Sequence, residues 1–226
     1  MKWIDAGVLV AVGLLATGGQ AALPSADAVI AELKAGNARH VAKKYERPNQ
    51  TAARQHEVAG AQHPHCAILT CADSRVPPEL IFDQGLGDMF VVRTAGHVID
   101  AAVLGSIEYA VTVLNVPLIV VLGHDSCGAV KATLSALDDG VMPGGYVRDI
   151  VERITPSVLM GRHAGLTRVD EFETRHVNET AVQLRIRSAP VAEGIAAGTL
   201  AIVGVTYHLA DGRVVLRDYL GEIGEG

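Results

Sequence analysis

Three residues of the kind that bind soft metal ions occur in two short clusters, Cys71-x-Asp73-x-Arg75 and His124-x-x-Cys127. Two thiolates and an imidazole make a zinc donor set, and three protein ligands leave one tetrahedral position open, the mark of a catalytic rather than a structural zinc. One zinc per chain is therefore expected, lowering the pKa of a bound water to about 7 and so supplying hydroxide at neutral pH. Asp73 and Arg75 are what a structural zinc site does not require. A carboxylate two residues past a ligand either binds the metal or accepts a hydrogen bond from the nucleophile. A guanidinium that grips the carboxylate through two bonds favours the second role, with Cys71 binding, Asp73 orienting and Arg75 positioning Asp73.

Both clusters follow apolar runs that read as buried strands. Residues 65–71, 88–94, 117–124 and 200–209 are near-continuously apolar and rich in β-branched side chains, as parallel strands covered on both faces are. Helical patterns at 101–114, 128–137, 146–160 and about 170–187 alternate with them. Ser25 is placed to cap a helix over 26–40, and the polar stretch 42–62 reads as partly helical. The expected fold is α/β, with four parallel strands, an antiparallel C-terminal edge strand after Asp211-Gly212, flanking helices and an N-terminal helical arm. Open sheets of this kind bind ligands where loops leave the carboxyl ends of the strands, and Cys71 and His124 stand there.

The 226 residues suit one domain; 49% hydrophobic and 19% charged residues exclude a disordered chain. A net charge of −6 with no basic stripe argues against nucleic acid as a partner. Three cysteines are too few and too oddly numbered for a disulfide framework, and Cys66, inside a strand, reads as core. His63 and His65 lack a carboxylate partner and do not read as a second metal site. Residues 1–22 resemble a secretory leader: Lys2, the apolar run 8–16, then Gly18, Gly19, Ala21 and Ala22. Cleavage near Ala21 and export to the periplasm are the expectations, which N-terminal sequencing of the mature chain would read. The run is too short to span a bilayer, and the mature chain, residues 23–226, is not expected to insert in a membrane.

Taken together, Cys71-x-Asp73-x-Arg75 and His124-x-x-Cys127 in an α/β chain of this length resemble the β-class carbonic anhydrases, from about residue 25 to the C-terminus. The resemblance implies reversible hydration of carbon dioxide to bicarbonate and a proton at zinc, in a homodimer or homotetramer built through an N-terminal helix and sheet contacts. It implies that Gln62 hydrogen-bonds bound substrate and that Phe90 and Tyr109 form an aromatic pocket wall, contributed in part by a partner subunit. Gly128 matches the small residue after the last ligand. Gln62 favours the accessible subtype over one closed by the aspartate and regulated by bicarbonate. Two positions depart from the pattern: Ala95 replaces a pocket-lining valine of some plant members, and His97 replaces an asparagine common in bacterial ones. A smaller Ala95 would enlarge the pocket, and His97 is a candidate proton shuttle. The alternatives are hydrolysis of carbonyl sulfide or carbon disulfide on the same fold, and a zinc-stabilised bicarbonate-binding protein whose site Asp73 closes.

Overall fold

A computed structural model of the chain describes residues 24–223; the expected leader, 1–22, lies outside them. In chain order the elements are α1 (Ala26–Ala42), α2 (Ala52–Glu57), β1 (Cys66–Cys71), α3 (Pro78–Ile81), β2 (Met89–Thr94), a 3₁₀ turn (Ala95–His97) and α4 (Ala101–Thr112). Next come β3 (Leu118–His124), α5 (Gly128–Asp139), α6 (Val147–His163), α7 (Val169–Arg187), α8 (Ala189–Ala196), β4 (Ala201–Tyr207) and β5 (Val214–Leu220). The sheet order is β2-β1-β3-β4-β5, parallel throughout except for β4 against β5. Among the described residues no helix is long and apolar enough to cross a membrane.

The apolar runs form the strands for the expected reason. Every residue of β1, β3 and β4 is buried, with the α4, α7 and α8 side of the sheet packed around Ile119, Val121 and Ile202. On the other face α1 and α3 cover Ile68, Leu118 and Val120. β2 departs from the expectation of full burial because it is an edge strand, and its residues are only partly covered. The helix over 26–40 runs to Ala42, with Ser25 Oγ accepting from Ala28 N at 3.3 Å. α6 continues through Pro156 to His163, three residues beyond the periodic pattern, and α8 is an element the periodicity does not predict. Its eight residues contain Pro190 and Gly194, which mask a helical signal.

α7 lies unusually close to the sheet. A Cβ added at Gly123 on β3 would stand 2.3 Å from Val177 Cγ2, and one at Gly204 on β4 would stand 3.0 Å from Val177 Cγ1. Glycine on the strand is thus what lets the helix approach the carboxyl end of β3. We expect Gly123→Ala to destabilise the chain by about 1–3 kcal/mol through overpacking. Combining it with Val177→Ala should recover part of that loss, as a coupling of about 0.5–3 kcal/mol in urea denaturation of the four proteins. Strict additivity would deny the close approach.

Candidate metal centre

The register Thr70↔Leu122 sets the carboxyl ends of β1 and β3 level, and the buried hydroxyl of Thr70 donates to Leu122 O at 2.9 Å, tying them. Cys71 and His124 end these strands. Beyond His124, Asp125 N donates to Tyr207 O at 3.1 Å and Asp125 Oδ2 accepts from Leu209 N at 3.2 Å, so the loop is held to the end of β4. Ser126, at φ +56°, reverses the chain and delivers Cys127 to the start of α5. The ligand atoms of Cys71, His124 and Cys127 thereby lie within 4.8 Å of one another, and all three residues are buried.

Each of these groups lacks something a cation would supply. The imidazole of His124 donates from Nδ1 to Asp125 O at 2.8 Å, which turns Nε2 inward, where it is buried without a hydrogen-bond partner. A hydrogen bond from Cys127 lowers the Cys71 thiol despite burial, helped by His124 and by the Gly96 N–H, which meets Cys71 Sγ at 3.3 Å. The same bond and burial push Cys127 up, although the amides of Ala129 and Val130 face its sulfur. Burial works against the His124 cation, yet the Cys71 thiolate outweighs it and raises the imidazole above its ordinary value. A divalent ion bound here would let both sulfurs ionise. Two thiolates and an unpartnered imidazole nitrogen fit zinc.

Asp73 borders this group without joining it. Arg75 Nε donates to Oδ1 at 2.9 Å and Nη2 to Oδ2 at 2.7 Å, and the Arg75 backbone N–H meets Oδ1 at 2.9 Å. Oδ2 lies 3.9 Å from His124 Nε2. The Arg75 hydrogen bond, against partial burial, holds the carboxyl well below the usual carboxylate range. The loop itself is stapled from β2, where Arg93 donates to Cys71 O at 3.1 Å and to Asp73 O at 2.7 Å.

The remaining sequence-derived positions divide. Ala95 opens the 3₁₀ turn beside Cys71, and Gly128 follows Cys127, exposed, where an added Cβ would meet nothing within 4 Å. Gln62 is exposed beyond the opposite end of β1 from Cys71. Phe90 pairs with Ala67 and Thr94 with Cys71, so Phe90 stands about 13 Å along the strand from the level of the ligands. Tyr109, 45% exposed, packs on Phe90 with ring centroids 6.1 Å apart. One chain thus keeps Gln62, Phe90 and Tyr109 away from its own metal group. A groove of about 700 Å³ between α1 and the sheet, lined by Ile30, Phe82, Val120, Val203 and Leu216, also lies apart from the ligands. His97 is buried, and burial followed by the neighbouring His176 holds its imidazole neutral well below the ordinary value, the opposite of what a shuttle to solvent needs. Burial pushes the Cys66 thiol up, consistent with packing.

Glu173 and His176 on α7 do not stand out in the sequence, yet they back the site. Glu173 Oε1 accepts from Cys127 N at 2.7 Å; burial raises its carboxyl to about 7 against that hydrogen bond. His176 Nε2 donates to Gly96 O at 2.9 Å. Their only sequence signal is the three-residue spacing that puts both on one helix face.

The carbonic anhydrase family model matches residues 66–214 of this chain. A carbonic anhydrase of Mycolicibacterium smegmatis is 67% identical over 205 residues, covering 90% of this chain and 100% of that protein. Carbonic anhydrase 2 of Mycobacterium tuberculosis is 67% identical over 193 residues, covering 85% and 93%. Among solved structures, a tetrameric β-carbonic anhydrase of Sordaria macrospora superposes with a TM-score of 0.65 at 26% identity, covering 84% of this chain and 96% of that one. With the fold, the Cys-His-Cys group and these matches together, the chain belongs to the carbonic anhydrase family of lyases, in its β class.

Proposed function

We propose that this chain hydrates carbon dioxide reversibly to bicarbonate and a proton at a zinc ion held by Cys71, His124 and Cys127. The observation that carries the reading is the fork of Arg75 on both oxygens of Asp73, which keeps that carboxylate from joining the three buried ligands. Zinc bound there lowers the pKa of a water to about 7 and so supplies hydroxide at neutral pH. Asp73, ionised through the whole neutral range, is an acceptor only. It takes a hydrogen bond from the O–H of the attacking nucleophile and turns a lone pair toward the carbon. Arg75 keeps Asp73 in that role, and Arg93 keeps the loop under it. Carbon dioxide, small and apolar, needs placement more than activation. Bicarbonate then leaves the pocket, and the proton released in the reaction passes to buffer.

The same reading makes the enzyme a homo-oligomer. Gln62, Phe90 and Tyr109 lie too far from the ligands of their own chain to line its pocket, so we place them in the pocket of a second copy. The Sordaria macrospora protein, a tetramer, supports association of this kind.

Stopped-flow hydration with an indicator dye, on zinc-quantified protein, tests the reaction. The rate is expected to rise with pH through one ionisation near 7. Asp73→Asn is expected to keep its zinc and lose about 10–100-fold in turnover; undiminished turnover would remove Asp73 from the mechanism, and a zinc-loaded wild type inactive at every pH would refute the reaction. The shared pocket is tested by mixing two impaired proteins. Cys127→Ser, without metal, and Gln62→Ala, without the substrate contact, are each expected to be weak. A mixed dimer would contain one intact site, so co-refolding should restore activity above the sum of the parts, and no restoration would place Gln62 outside the partner's pocket.

A further inference from the structure

Behind the ligands, α7 meets the backbone of both sulfur-bearing loops. Glu173 is 2% exposed, and its one hydrogen bond goes to the N–H of Cys127, just past the left-handed Ser126; Oε2 has no partner. A buried carboxyl spent on a single backbone amide is costly, and its consequence is that the turn carrying Cys127 cannot rotate without stranding that N–H. Three residues on, the hydroxyl of Ser157 donates to His176 Nδ1 at 2.9 Å, so the ring proton sits on Nε2 and is donated to Gly96 O at 2.9 Å. The His176 ring also stacks on His97, centroids 4.5 Å apart. Gly96 is left-handed, φ +64°, and a Cβ there would lie 2.8 Å from Ala129 Cβ and Ile154 Cδ1. Pinned at its carbonyl by His176, Gly96 points its own N–H at Cys71 Sγ. The helix is itself registered on the strand of the third ligand, because Val177 packs against Gly123, next to His124.

We propose that Glu173 and His176 are positioning residues for the thiolate ligands. Glu173 fixes Cys127 through its backbone amide, and His176 fixes the Gly96 amide that bonds Cys71, so that one rigid helix sets the spacing of both sulfurs relative to His124. The proposal rests on the reading of Cys71, His124 and Cys127 as the ligand set. It goes beyond that reading in assigning the geometry of the site to a helix that supplies no ligand. Hydrogen bonds to thiolate sulfur and partners of the ligand loops tune both metal affinity and the electronic state of the bound ion.

The test uses the full chain, loaded with zinc for affinity by chelator competition and with cadmium-113 for NMR, whose chemical shift responds to thiolate geometry independently of turnover. His176→Phe keeps the ring and its stacking on His97 but has no N–H to give; Glu173→Leu removes the acceptor, and Glu173→Gln retains one. The phenylalanine and leucine variants are each expected to weaken zinc about 10–100-fold and to move the cadmium resonance, while Glu173→Gln stays near the wild type. Folded variants with wild-type affinity and an unmoved resonance would overturn the proposal, as would a Glu173→Gln protein as impaired as Glu173→Leu. If the larger changes prevent folding, Glu173→Asp, which withdraws the acceptor by one methylene, and Ser157→Ala, which frees the His176 ring, take their place; unchanged values in both overturn the proposal equally. A wild type whose cadmium shows no thiolate-type resonance overturns the ligand assignment itself, and the proposal with it.

Discussion

The guanidinium of Arg75 closes on both oxygens of Asp73, and the chemistry open to the site follows from where that leaves the carboxylate. Released, a carboxylate whose oxygen lies 3.9 Å from His124 Nε2 would be an available fourth ligand, and a zinc enclosed by four protein ligands has no place for a reactant. Held by two parallel bonds and a backbone amide, it keeps its charge, and on the proposed reading it stays off the metal. The guanidinium is itself half exposed, so the pair gains little in stability from being an ion pair. Its value lies in geometry, an acceptor fixed beside the metal group.

Charge is managed a second way at the sulfurs. Two buried thiols side by side resist ionising together, and beside the His124 imidazole the fold turns backbone amides from Gly96, Ala129 and Val130 toward the sulfurs. Amide dipoles stabilise thiolates without neutralising them, which leaves the metal as the counter-charge. The close approach of α7, permitted by glycine on β3 and β4, brings Glu173 and His176 to the backbones of these loops. A helix contributing no ligand is thereby coupled to all three.

Much of this is legible in the sequence, for identifiable reasons. Near-continuous apolar runs rich in β-branched residues announce β1, β3 and β4, because burial on both faces demands them, and the two clusters at strand ends locate the metal group. The edge position of β2 is hidden, since its residues Met89–Val92 are as apolar as those of an interior strand. α8 escapes a sequence reading because Pro190 and Gly194 suppress its local signal. Glu173 and His176 escape it for a different reason: a Glu and a His three residues apart are ordinary on an exposed helix, and only the packing of α7 on Gly123 turns that face inward. His97 shows the converse, a residue type suited to proton transfer whose burial withdraws it from that task. Gln62, Phe90 and Tyr109 come from resemblance alone, because nothing in their own spacing ties them to the two metal-binding clusters.

Whether Arg75 keeps Asp73 off the metal is read most directly by zinc K-edge X-ray absorption from pH 6 to 9, with and without azide, on the wild type and on Asp73→Asn. Two sulfurs, one imidazole nitrogen and one light fourth ligand that azide displaces are expected, with the same set of ligands in both proteins. A fourth ligand that azide leaves in place in the wild type and that changes in Asp73→Asn would show the carboxylate on the metal, and would contradict the positioning role of Arg75.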